Sequence, residues 1–169
     1  MQYKIIEHLI FNNENIWKLL KYPDSNALGQ ENLTVQDKIK LIYKGEVDSK
    51  PFRIFKTRLI DDGFEEQCSL LKIYPAIIIP EKPTLASVSF SLDVLSHIKI
   101  GHLNNGDSRN VLLMSEILKT LNGADINGVG FLTFNQMGSR YDKATLDLSN
   151  GKSYEGYSIV MSTRVSGVD

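Results

Sequence analysis

The residue types that could do chemistry in this chain are few, and their spacing argues against a catalytic centre. His97 and His102 could supply half of a metal site. A closed zinc site needs four converging ligands, however, and the remaining histidine is His8 while the single cysteine is Cys68. Gly151-Lys152-Ser153 has the ending of a phosphate-binding loop, but the first glycine of that motif would fall at position 146, where Leu146 stands. The segment also joins two strand-like runs instead of opening a helix, so it reads as a hairpin turn. Asp61, Asp62, Glu65 and Glu66 could bind a cation or act as acid and base; with no His or Lys beside them they read as a solvated turn. Cys68 has no base near it in sequence and sits among strand apolar residues, where a small buried hydrophobe is its usual role. No catalytic, cofactor-binding or metal-ligating residue is assigned, and no cofactor is expected.

Two stretches suit contact with a partner instead. Ile77, Ile78 and Ile79 stand between Pro75 and Pro80, with Pro83 close behind. Prolines cannot donate to a strand ladder, which places this apolar patch on an edge or a protruding loop. Ser139-Arg140-Tyr141-Asp142-Lys143 follows Gly138 between two strand-like runs. It suits a plain turn as well as an interface loop, because Arg140 and Tyr141 are residue types that anchor interfaces.

The elements that would carry these residues centre on residues 85–166. In 85–98, Val88, Phe90, Leu92 and Val94 alternate with Ser87, Ser89, Ser91 and Asp93, the pattern of a half-buried strand with water on its polar face. Asp107 and Ser108 can cap a helix over 108–122, in which Val111, Met114, Leu118 and Leu121 form the apolar stripe and Gly123 the left-handed end. Beyond it, 129–134 is a strand whose Gly128 and Gly130 signal a bulge or a close backbone approach. Strands 141–148 and 154–164 are joined through Asn150-Gly151, a hairpin turn.

Upstream, Ile6, Leu9, Ile10, Ile16, Trp17 and Leu20 keep helical spacing, with Asn13 placed to cap a second helical piece and Pro23 ending it. Thr34-Val35-Gln36-Asp37 resembles a capping box that opens another short helix. Residues 52–59 have strand composition, 61–63 make a turn, and 67–74 carry apolar side chains on both faces, as a buried central strand does. The fold class is therefore α+β: a mixed, mostly antiparallel sheet with one long helix packed on it and N-terminal helices over about residues 1–45.

At 169 residues, 42% hydrophobic and 23% charged, the chain has the material for one domain, 1–169. A formal net charge of −1 gives no general attraction to nucleic acid or to an anionic membrane. One cysteine means no internal disulfide, and no run approaches the roughly 20 apolar residues of a membrane span. A soluble protein with neither membrane nor sequence-specific nucleic acid as partner is expected.

The order N-terminal helices, long β-hairpin, helix, then β-meander resembles the tail-terminator and neck proteins of tailed bacteriophages. The run Asn-Val-Leu-Leu-Met-Ser-Glu-Ile-Leu-Lys-Thr-Leu-Asn-Gly from Asn110 and the run Tyr-Glu-Gly-Tyr-Ser-Ile-Val-Met-Ser-Thr-Arg-Val from Tyr154 carry it, over about the last hundred residues. The resemblance implies a structural virion protein, assembled in the host cytoplasm as a ring, commonly hexameric. Such a ring terminates the tail tube and joins it to the head connector, the tube and connector proteins being its partners. The stretch up to Leu59 is longer than compact versions need, which keeps another neck or head-completion connector subunit open. A small enzyme, or a module binding peptide along 98–103, are the rival classes.

Overall fold

Asn13 divides the N-terminal apolar run into α1 (Gln2–Asn12) and α2 (Glu14–Lys21). Its extended backbone stops the first helix, and its side-chain oxygen accepts from the amide of Ile16 to start the second. The computed structural model describes residues 1–45, 52–57, 67–134, 146–148 and 152–166. The expected acidic turn at 61–66, the Arg140–Tyr141 loop and the Asn150-Gly151 turn lie outside the described residues. Thr34 opens α3 (Val35–Lys40) as a capping box does, its hydroxyl oxygen accepting from the Asp37 amide at 3.2 Å.

The sheet is mixed and mostly antiparallel, and the class is α+β. β1 (Ile54–Phe55) pairs in parallel with β2 (Ser69–Lys82), which forms a long hairpin with β3 (Leu85–His97). β4 (Asp125–Ile126) and β5 (Gly130–Phe131) make a separate small hairpin, and β6 (Thr133–Phe134) and β7 (Leu146–Leu148) line the far side of β8 (Lys152–Ser166). β8 runs antiparallel to the whole of β3, from Leu85 opposite Ser166 to His97 opposite Tyr154. Gly130 has φ of +94°, and a Cβ there would stand 3.0 Å from the Thr163 hydroxyl. This is the close backbone approach that the glycines of this strand signal.

The helices cover one face. Leu71, Ile73, Phe90, Leu92, Val94, Ile159 and Met161 meet Ile6, Leu9, Trp17, Leu20, Leu113 and Ile117 in the main core. On the other face a smaller cluster gathers Phe52, Phe55, Cys68, Leu70, Leu95 and Tyr154.

Two expectations are corrected. The long helix is α4 (Arg109–Leu121), with Ser108 and Asn122 as its end residues, but neither Ser108 nor Asp107 caps it through a side chain. The Gly101 carbonyl accepts from the Arg109 amide instead, at 2.8 Å. The buried stripe of α4 is also rotated, to Arg109, Asn110, Leu113, Glu116, Ile117 and Leu121, while Val111 is 44% exposed and Leu118 only partly buried. The cause is that α4 lies between sheet and helices and turns polar residues inward to serve them. Arg109 donates to the carbonyls of Ile100, Leu19, Tyr22, Pro23 and Asp24. Glu116 accepts from Asn13 at 3.0 Å and from Lys119 at 2.7 Å. Burial disfavours the Glu116 carboxylate, but these partners and Asn15 outweigh it and hold the group below its ordinary range.

The second correction concerns the polar side of β3. Ser91 and Asp93 are 5% and 7% exposed, not wet. Asp93 accepts from Tyr74 at 2.9 Å, Ser158 at 2.8 Å and Ser91 at 3.1 Å, so a buried carboxylate is satisfied by hydroxyls from all three long strands.

Candidate interaction surface

Beyond Tyr74 the β2–β3 hairpin leaves the body, and the end of β8 goes with it, giving a three-stranded tongue. A register shift between Pro75 and Ile77 inserts one extra residue in β2, a bulge that reverses which side chains face the helices. Before it, Ile73 opposes Leu92 and joins the core; after it, Ile78 opposes Val88 on that face while Ile77 and Ile79 oppose Ser89 and Ser87 on the other. The layer over the helical face reaches Thr163, whose hydroxyl donates to the Val129 carbonyl, and buries Val88. It does not reach Ile78. Ile77, Ile78 and Ile79 are 56%, 64% and 55% exposed, so the tongue is apolar on both faces and covered on neither at this strand.

The prolines close the remaining route of contact. The Leu71 amide donates outward to Arg53, and the Ile73 carbonyl accepts from Gln2 at 2.7 Å. The alternation puts Pro75 outward as well and, past the bulge, Ile78 and Pro80. Two outward positions therefore lack an N–H, which costs the β2–β3 ladder nothing and deprives an added strand of donors. The tongue can meet a partner through side chains but is a poor template for another strand. Its tip is polar: Arg164 Nε stands 3.4 Å from Glu81 Oε1, and Lys82 is exposed.

A second feature lies beside α1. A groove of about 260 Å³ runs between α1 and the β4 turn, lined by Lys4, Glu7, His8, Phe11, Asp125 and Ile126 among others. Phe11 stands on its rim 67% exposed, and Ile126 is buried beneath.

Among the described residues, those weighed for chemistry do not gather into a metal centre. His97 is buried, its ring edge-on to Tyr154 at 5.4 Å, and its Nδ1 accepts from the Lys99 amide to begin a 3₁₀ turn. Burial, with Lys99 nearby, holds the imidazole below its usual pKa. His102 is exposed on the following loop. Among the described residues no group of three or more His, Cys, Asp or Glu could hold a metal ion. Cys68 does have a neighbour that the sequence concealed: its sulfur lies 3.3 Å from the Tyr154 hydroxyl. Strand register lines up Cys68, His97 and Tyr154 in one row, a relation visible only once the pairing of β2, β3 and β8 is known. Burial and the Cys68 contact push the Tyr154 phenol well above its ordinary range, so it stays protonated. Arg140 and Tyr141 lie outside the described residues. No helix among the described residues is long and apolar enough to cross a membrane.

A family model described as YomW matches residues 13–163. That span runs from the cap of α2 through the tongue and α4 to Thr163, near the end of β8. No curated protein matches the chain.

Proposed function

The chain belongs to the YomW family, a phage-associated family, and from that premise we propose that it is a structural protein of the phage particle. In this reading it forms a ring at the neck, ends the tail tube and joins it to the head connector. The observation that carries the proposal is the tongue. A lone chain gains nothing by holding three isoleucines in water on both faces of a projecting, proline-edged sheet, whereas a subunit in an assembly buries them. The neck position rests on the resemblance to tail-terminator and neck proteins. Six-fold order comes from that resemblance.

Such a role asks for shape and stability and calls on no cofactor, metal or membrane. The test is particle composition. Mass spectrometry and antibody labelling of purified phage are expected to place the chain at the head–tail junction. Phage carrying Ile78→Asp are expected to yield heads and tails that do not join. Absence from purified particles, with normal joining in its deletion, overturns the proposal.

A further inference from the structure

We infer that the groove beside α1 receives the tongue tip of a second copy of this chain, with Lys82 of one copy against Asp125 of the next. The inference rests on the proposal that the subunits form a ring, and it names the contact that builds it. Charge complementarity carries it. Within the groove Lys4 is taken by Glu7 at 2.8 Å, while the Asp125 carboxylate, exposed on the groove wall, has no ion-pair or hydrogen-bond partner among the described residues. At the tongue tip Glu81 is taken by Arg164, while the exposed Lys82 has none either. Each surface thus keeps one charge unspent, of opposite sign, beside exposed apolar side chains: Ile77, Ile78 and Ile79 on the tongue, Phe11 at the groove.

The occupant follows from what the alternatives would do. Tongue against tongue, tip to tip, would set Lys82 beside Lys82 and leave Asp125 and Phe11 of the groove without a partner. A peptide adding as a strand meets the outward prolines. Tongue into groove joins two different surfaces of the same chain, a head-to-tail contact that closes into a ring or runs on as a filament. It also leaves the second face of the tongue for a further neighbour.

The test is self-association of the full chain by light scattering at low ionic strength, where exposed charges are least screened. Four proteins are compared: unaltered, Lys82→Glu, Asp125→Lys, and the two reversals together. Both sites are exposed, so melting temperatures are expected to agree and each variant reports on contact alone. Each single reversal is expected to weaken association roughly five- to tenfold, and the pair together to restore most of it. Single reversals without effect, failure of the double variant to recover, or an unaltered chain that stays monomeric at every concentration overturns the inference. Particle composition is read separately. A chain found at the neck whose reversals do not rescue one another sinks this contact and leaves the neck role standing. Rescue by a chain absent from particles does the opposite.

Discussion

Arg109 Nη1 donates to the Tyr22 carbonyl at 2.7 Å, tying the start of α4 to the end of α2. The guanidinium is fully buried, yet its partners are five main-chain carbonyls instead of a carboxylate. Leu19 and Tyr22 lie where the last turn of α2 leaves carbonyls without helical donors and carries partial negative charge. Burial pushes the Arg109 pKa down, and the charge of Asp24 opposes that. The planar fork of five N–H groups suits this task, and an ammonium cannot span it. Arg109→Met is expected to destabilise the chain by about 3 to 5 kcal/mol in urea denaturation, because the carbonyls lose their donors. Arg109→Lys is expected to recover only a minor part.

The rotation of α4 separates neighbouring positions. Ile117→Ala removes a fully buried side chain and is expected to cost roughly 2 to 5 kcal/mol. Val111→Ala, on the exposed side, is expected to stay within about 0.5 kcal/mol, with Leu118→Ala between them. A larger loss at Val111 than at Ile117 contradicts the packing described.

Ile78→Asp separates an exposed tongue from a buried strand. With Ile78 64% exposed, the folded monomer is expected to keep its melting temperature within about 2 to 4 °C. Were this column in the core, the same change would bury an unpaired charge and unfold the chain. Circular dichroism of the dilute protein decides.

Asp93 anchors hydroxyls from β2, β3 and β8. Asp93→Ala is expected to cost about 2 to 4 kcal/mol by leaving buried polar groups short of an acceptor. Ser158→Ala, which removes one donor and leaves the carboxylate two others, is expected to cost about 1 kcal/mol.

His97 gives the chain a weakness to mild acid. Its folded pKa is lowered from the ordinary 6.5, chiefly by burial, so below that value the unfolded chain binds a proton more readily than the folded one. The stability His97 contributes is complete above pH 6.5 and is lost as the pH falls through the lowered value. Melting temperature is expected to drop between pH 7.5 and 5, and His97→Asn, which keeps an acceptor for the Lys99 amide, to flatten that part of the profile.

What the sequence disclosed was whatever depends on near neighbours. Asn13 and Thr34 with Asp37 act within a few residues of themselves, and the helices they open start where expected. The prolines at 75 and 80 marked the edge for the same reason. Gly123 does take φ +82°, but Asn122 has already left the helix with ψ of 119° and the Gly123 amide donates to the Leu132 carbonyl, not to the last helical turn. The rotated face of α4 was hidden because Arg109 and Glu116 count as polar in any apolar pattern, although they serve residues 13–24, far off in the chain. The burial of Asp93 and the row of Cys68, His97 and Tyr154 depend on register between strands, which periodicity within one strand does not contain. Of the interface residues expected, Ile77, Ile78 and Ile79 are exposed, and Arg140 and Tyr141 fall outside the described residues.

The position of β8 has a consequence for how the molecule is made. It fills the place beside β3 along its whole length, yet a ribosome releases it only after residues 98–151 have been added, a delay of about 3 to 10 s at ordinary rates of synthesis. Through that interval the β2–β3 hairpin has an open flank as well as its bare isoleucines, and a hairpin alone is at best marginally stable in water. The nascent chain is therefore most open to aggregation before its last long strand emerges, and a chain cut short ahead of β8 is expected to need a chaperone where the longer one does not.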